Sequence, residues 1–160
     1  MGIIRLKQGY DIFYKKTGNG PVVIFLHNGF YSSLTWDLVR TGFASNFTVI
    51  EYDRLGYGRS SHIESLDYDI VEHGVSELEE FVNELGISDF MLVGHCAGGA
   101  IAALYTIKHP EKVKKLVLES VGYYGDIKTL LKTDMTFKKY KAIERSLKNI
   151  LAEMHGINIP

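Results

Sequence analysis

The chain has 160 residues, enough for one domain with a sizeable hydrophobic core. Eighteen basic against nineteen acidic side chains give a net charge of −1, which disfavours nucleic acid as a partner. A single Cys excludes a disulfide-stapled domain and a Cys-rich zinc site. Its longest notable apolar run, Val22–Leu26, is far short of the roughly 20 residues of a membrane span. With no targeting signal visible, a reducing compartment, the cytoplasm, is expected.

Residues 3–16 alternate loosely and break at Gly9, which predicts two short antiparallel strands, Ile3–Lys7 and Tyr10–Lys15. Turn residues fill Thr17–Pro21. Val22–Leu26 then reads as a strand buried on both faces. Trp36, Val39 and Phe43 recur at helical spacing, and Phe47–Tyr52 is a second buried strand. A glycine-broken loop, Asp53–Ser60, follows. Val71, Val75, Leu78, Val82 and Leu85 form one apolar stripe of a helix near residues 68–85, with acidic residues on the other face. Asp69 with Glu72 fits a capping box, and Gly86 a stop. Phe90–Val93 and Val113–Leu118 are further buried strands on either side of a small-residue helix, Ala97–Lys108. Strand and helix alternate over residues 22–121, the pattern of a mostly parallel, doubly wound α/β sheet.

Residues 126–160 differ. They carry seven basic and four acidic side chains, and Tyr140, Ile143, Leu147, Ile150, Leu151 and Met154 make a helical stripe. This segment reads as an appendage to a core spanning residues 1–125.

The chemistry is concentrated at Gly94-His95-Cys96-Ala97-Gly98. This matches a nucleophile elbow with Cys in the Ser position. A nucleophile at a tight strand-to-helix turn needs Gly two positions before and after it, because side chains there would collide. The helix that follows aims its first N–H groups at a developing oxyanion. The competing reading of Cys96 is an inert thiol at a packing turn.

Together these motifs resemble the α/β-hydrolase superfamily over most of residues 3–121. Phe25-Leu26-His27-Asn28-Gly29-Phe30 looks like its oxyanion loop, Asp53–Ser60 like its glycine-rich loop, and His109-Pro110-Glu111-Lys112-Val113 like the entry to its sixth strand. The resemblance implies Cys96 as nucleophile, with backbone N–H groups of Ala97 and Gly29 as oxyanion donors. Asn28 stands where the family usually has Gly, so Asn28 or Phe30 is an alternative donor. His27, His95, Asp53 and Arg54 are expected to shape their loops. The family places an acid after a seventh strand and a base His after an eighth. Six strands are counted here, so those two strands are expected to be lacking and residues 126–160 to begin a helical cap.

The resemblance therefore implies a hydrolase acting on an ester, thioester, lactone or amide through an acyl-Cys96 intermediate in a complete protein. It implies a small-molecule substrate and neither metal nor organic cofactor, while Ile127, Leu130, Leu131, Met135 and Phe137 suggest a pocket for an apolar acyl or alkyl group. A missing acid and base leave two alternatives: a non-catalytic ligand- or partner-binding protein on this scaffold, or an inactive truncation. The sixth strand would be a bare sheet edge, so self-association or a second chain supplying the missing strands is expected.

Overall fold

Loose alternation at the N-terminus and unbroken apolar runs after it become two kinds of strand. A computed structural model of the protein describes residues 1–63 and 69–121. The alternating segments form a hairpin, β1 (Gly2–Arg5) and β2 (Asp11–Thr17), whose antiparallel ladder pairs Ile3 with Phe13. The apolar runs form β3 (Val22–Leu26), β4 (Thr48–Tyr52), β5 (Phe90–His95) and β6 (Val113–Glu119). A 3-10 turn, Ser33–Trp36, leads into α1 (Asp37–Phe43). Helix α2 spans Ile70–Glu84 and α3 spans Ala97–Lys108. The six strands lie in the order β1-β2-β4-β3-β5-β6. Strand β3 runs parallel to both β4 and β5, and β5 parallel to β6, while β2 joins β4 antiparallel. The mostly parallel, doubly wound α/β sheet expected from the sequence is the one found.

Period two along the central strands supplies both layers of the core. Ile24, Ile50 and Leu92 are fully buried on the face shared with Leu78, Phe81 and Val82 of α2 and Ile101 of α3. Val23, Phe25, Val49 and Val93 point the other way and pack with Trp36. Each such large apolar side chain contributes about 1.5–3 kcal/mol on burial. Helix α1 is tied to the sheet by charge as well. Lys15 Nζ on β2 lies 2.6 Å from Asp37 Oδ1 and 3.1 Å from the buried Glu51 Oε1, and Arg40 Nη1 lies 3.0 Å from the same Glu51 oxygen.

Three sequence readings need correction. Strand β1 stops at Arg5, because Leu6–Tyr10 closes a turn in which the Leu6 N–H donates to Tyr10 O and Gly9 has φ +87°. In the first helical segment Trp36 is buried, but Val39 is 40% exposed, because the segment is a 3-10 turn followed by a helix of only seven residues. In α2 the acidic residues do not all face outward: Glu77 is 4% exposed and sits in the apolar stripe beside Leu78 and Phe81. Asp69 caps α2 as expected, its carboxylate accepting from the Val71 and Glu72 N–H groups, while the Glu72 carboxylate pairs with Lys108 of α3.

No helix among the described residues is long and apolar enough to cross a membrane. The boundary at residue 125 and the segment 126–160 lie outside the described residues.

Candidate active site

The chain crosses from β3 through α1 to β4 on one side, then through α2 to β5 on the other side of β3. The crevice at the carboxyl ends of β3 and β5 is therefore a topological switch point, where open α/β sheets place ligands. The residues singled out from the sequence converge there. His27–Phe30 follows β3, Asp53–Ser60 follows β4, and Cys96 follows β5.

Cys96 has φ 52° and ψ −115°, a left-handed conformation that costs a non-glycine residue of order 1–3 kcal/mol. Close packing around it explains how that strain persists. A Cβ on Gly98 would lie 2.5 Å from His27 O and closer still to Leu26 O. One on Gly94 would lie 2.6 Å from both Gly98 O and the Gly99 Cα. The three glycines thus let the start of α3 press against the ends of β3 and β5. The Cys96 N–H donates to Glu119 O on β6 at 3.0 Å, and Cys96 O accepts from the Gly99 and Ala100 N–H groups. The thiol is half-buried, at the head of α3. Ala97 is the first residue of that helix, so its N–H has no acceptor within the helix.

The loop after β3 is held by a different kind of force. Asn28 Oδ1 accepts from both the Phe30 N–H (2.9 Å) and the Tyr31 N–H (3.0 Å). Phe30 is thereby engaged within its own loop. Gly29 faces the helix start directly: a Cβ placed on it would sit 3.7 Å from the Ala97 Cβ. His27 is fully buried. Its Nε2 accepts from the Arg54 N–H at 3.0 Å, which fixes Nδ1 as the protonated nitrogen donating to Asn28 O at 2.7 Å. Burial, helped by the Arg54 charge, pushes its pKa down to about 4. A neutral imidazole with both nitrogens engaged shapes the loop and is not a base.

The loop after β4 completes the scaffold. Arg54 Nη2 donates to Asn28 O at 2.8 Å. The buried Asp53 accepts from the Ser33 N–H (2.7 Å) and the Arg59 N–H (2.8 Å). Gly58, at φ +53°, has no room for a Cβ beside the Asp53 carboxylate. Ser60 Oγ, also buried, accepts from the Phe13 N–H and donates to Asp53 O. Asp53 and Arg54 are loop-holding residues, as read from the sequence. Sequence reasoning missed Ser60 and Glu77; the Glu77 Oε2 accepts from the Leu55 N–H at 2.8 Å.

Among the described residues, His27, His62, His95 and His109 all have partners other than Cys96. His95 Nδ1 lies 3.8 Å from Glu119 Oε2, pairing the ends of β5 and β6. No group of three His, Cys, Asp or Glu side chains among the described residues is placed to share a metal ion. Phe30, Tyr31 and Leu34 stand 89%, 67% and 58% exposed on the segment after β3.

Comparison with known proteins agrees with this geometry. A family model described as the alpha/beta hydrolase fold matches residues 21–146. A bifunctional esterase/perhydrolase of Acinetobacter calcoaceticus is 36% identical over 124 residues, covering 75% of this chain and 44% of its own length. A non-heme haloperoxidase of Rhodococcus erythropolis is 35% identical over 124 residues, covering 74% and 43%. Among solved structures, an epoxide hydrolase of Vigna radiata superposes with a TM-score of 0.71 at 26% identity, over 77% of this chain and 38% of that one. The chain spans less than half the length of these three proteins. It belongs to the α/β-hydrolase fold family.

Proposed function

We propose that this α/β-hydrolase chain carries the nucleophile and the oxyanion site of a hydrolase acting on an ester, thioester, lactone or amide. Cys96 is the nucleophile, and the N–H groups of Ala97 and Gly29 are the oxyanion donors. The Cys96 sulfur attacks the acyl carbon and the carbonyl electron pair moves onto oxygen, where the two N–H groups meet it. Collapse expels the alcohol, thiol or amine, which takes up a proton, and leaves a thioester on Cys96. Water then adds to the thioester, loses a proton to a base, and releases the carboxylic acid and the thiol. The observation that carries this reading is Cys96 itself, held at φ 52° at the head of α3 opposite the Gly29 loop. The names of the relatives, an esterase/perhydrolase among them, support acyl chemistry.

His27, His62, His95 and His109 are each engaged with groups other than Cys96, and we assign the base and acid to other residues of the protein. Cys96 with its helix start supports acylation without rapid turnover, since loss of a triad member costs several orders of magnitude in rate. Exposed Phe30, Tyr31 and Leu34 near the loop favour a small substrate with an apolar acyl or alkyl group. The edge of β6 in the described sheet favours pairing with a second copy or with a chain supplying further strands; sedimentation at micromolar concentration reads this, and a stable monomer contradicts it.

The test is p-nitrophenyl acetate on the purified chain. The expected result is one acetyl group on the Cys96 peptide by mass spectrometry, absent in Cys96→Ala. Alkylation of Cys96 by iodoacetamide without any acetylation would reject the hydrolase reading. It would favour a non-catalytic binding role, which the absence of a described base already accommodates.

A further inference from the structure

We propose that Glu77 is a positioning residue for the oxyanion loop, acting from α2 through the loop after β4. This inference rests on the proposed acyl chemistry at Cys96. The chain of contacts is short and consists of directional bonds. Glu77 Oε2 accepts from the Leu55 N–H. The adjacent Arg54 gives its backbone N–H to His27 Nε2 and its Nη2 to Asn28 O. Asn28 in turn holds the Phe30 and Tyr31 N–H groups, which bracket the turn carrying Gly29. A carboxylate on a helix thus fixes a loop whose backbone and guanidinium fix the donors opposite Cys96.

Nothing about packing alone requires an acid at this place. Glu77 lies in the apolar stripe of α2, where a Leu or Met would fill the space without desolvating a charge. The Tyr52 hydroxyl from β4 also interacts with the Glu77 carboxyl, and Arg54 Nε, likewise buried, has no hydrogen-bond partner among the described residues. An acid in this stripe carries a desolvation cost that a Leu would not, and what it meets there is the backbone of the loop after β4 and the Tyr52 hydroxyl. The groups facing it are Tyr52 from β4, Arg54 and Tyr57 from the loop, and His73 from α2 itself. Only Arg54 brings a permanent positive charge.

Burial pushes the Glu77 carboxyl up to about 7, against the pull of the Leu55 N–H, Arg54 and the Tyr52 hydroxyl. The ionised form attracts Arg54, and Arg54 is the residue that holds Asn28 O. Order in the oxyanion loop is therefore expected to rise as pH passes upward through neutrality.

The test compares two reactions of the same thiol. Acetylation by p-nitrophenyl acetate passes through an oxyanion, whereas alkylation by iodoacetamide does not. Their rate ratio cancels the ionisation and accessibility of Cys96. In the native chain the ratio is expected to rise about threefold or more between pH 6 and 8. Glu77→Gln keeps an acceptor for Leu55 but no charge, and its ratio should stay flat with pH. Glu77→Leu should lower the ratio at least tenfold at pH 8, with alkylation unchanged. If Glu77→Leu does not fold, the Gln variant and the native pH profile decide. A native ratio that is flat with pH and equal to that of Glu77→Gln overturns the inference, as does a folded Glu77→Leu with the native ratio. Should native Cys96 alkylate but never acetylate, the hydrolase reading fails, and amide hydrogen exchange judges the positioning by itself. Faster exchange at Arg54, Phe30 and Tyr31 in the Glu77 variants then upholds it, and native rates there overturn it.

Discussion

The two walls of the crevice are built by different forces. On the β5 side, Cys96 is placed by exclusion: Gly94, Gly98 and Gly99 leave no space for a side chain, so the backbone has only one way to turn. On the β3 side, His27–Tyr31 is placed by a network of polar atoms reaching from α2 through Leu55, Arg54 and His27 to Asn28. Steric placement is indifferent to pH and intolerant of volume. Polar placement tolerates modest changes of volume and responds to protonation. Cys96 and the loop bearing Gly29 should therefore fail under different perturbations.

The largest effect is expected on the steric wall. Gly98→Ala puts a methyl group 2.5 Å from His27 O and nearer still to Leu26 O, both backbone atoms that cannot step aside. Ala gains about 1 kcal/mol over Gly in helix propensity, but overpacking against backbone costs about 3 kcal/mol or more. Urea unfolding should show net destabilisation of about 2 kcal/mol or more, equal at pH 5 and pH 8. Gly74→Ala is the control. Its methyl would meet the side chain of Ile101, with Cγ1 at 2.8 Å, and a side chain can rotate away, so a smaller loss is expected.

The polar wall should show itself as two opposing pH dependences. His27 has its pKa lowered from 6.5 to about 4, so as pH falls below 6.5 the unfolded chain gains a proton that the native one refuses. Native stability then drops by about 3 kcal/mol between pH 6.5 and 4. Glu77 has its pKa raised from 4.5 to about 7, so the native chain keeps a proton that the unfolded chain has released. Stability from this group drops by about 3 kcal/mol as pH rises from 4.5 to 7. The two slopes offset each other between pH 4.5 and 6.5. Glu77→Gln should unmask His27, giving a stability that climbs with pH through this window relative to the native chain. His27→Gln should unmask Glu77 and make stability fall there. Parallel pH profiles for the native chain and both variants would remove the polar network from the account.

A smaller effect is expected at Asn28. Asn28→Ala leaves the Phe30 and Tyr31 N–H groups without their acceptor, but both residues are largely exposed and water can replace it. A loss of about 1 kcal/mol is expected in unfolding. The acetylation-to-alkylation ratio at Cys96 should fall further than stability does, because the loop bearing Gly29 is released.

This division also decides what was legible in the sequence. The steric wall is local: Gly94 and Gly98 lie two residues either side of Cys96, and their spacing alone announces the turn. Helix α3 matched its expected bounds, Ala97–Lys108, because the elbow starts it and Pro110 follows its end. The loop roles of Asp53, Arg54 and His27 were legible through the resemblance, whereas their partners were not. Glu77 was hidden because its burial depends on a loop more than 20 residues earlier folding back onto α2. Read by helical period alone, an acid beside Leu78 belongs to the solvent face. Asn28 looked like a departure that put the donor in doubt. In three dimensions its side-chain oxygen organises the turn that would otherwise need backbone alone.

Gly29 sharpens the comparison by having almost no effect. It is a glycine on the polar wall, and among the described residues a Cβ placed there would meet the Ala97 Cβ at 3.7 Å, an ordinary van der Waals contact. It is not among the glycines with positive φ. The described residues therefore place no steric demand for glycine at this position, in contrast to Gly98. Gly29→Ala should change unfolding free energy by less than about 0.5 kcal/mol, the range of substitutions that break no packed or bonded feature. If the donor is the backbone N–H, the substitution also keeps it, and acetylation of Cys96 should stay within about threefold of native. A large loss of acetylation with native stability would mean that the acyl group itself occupies the space beside the Gly29 Cα. That would move the oxyanion to another donor, with the Asn28 N–H next in line.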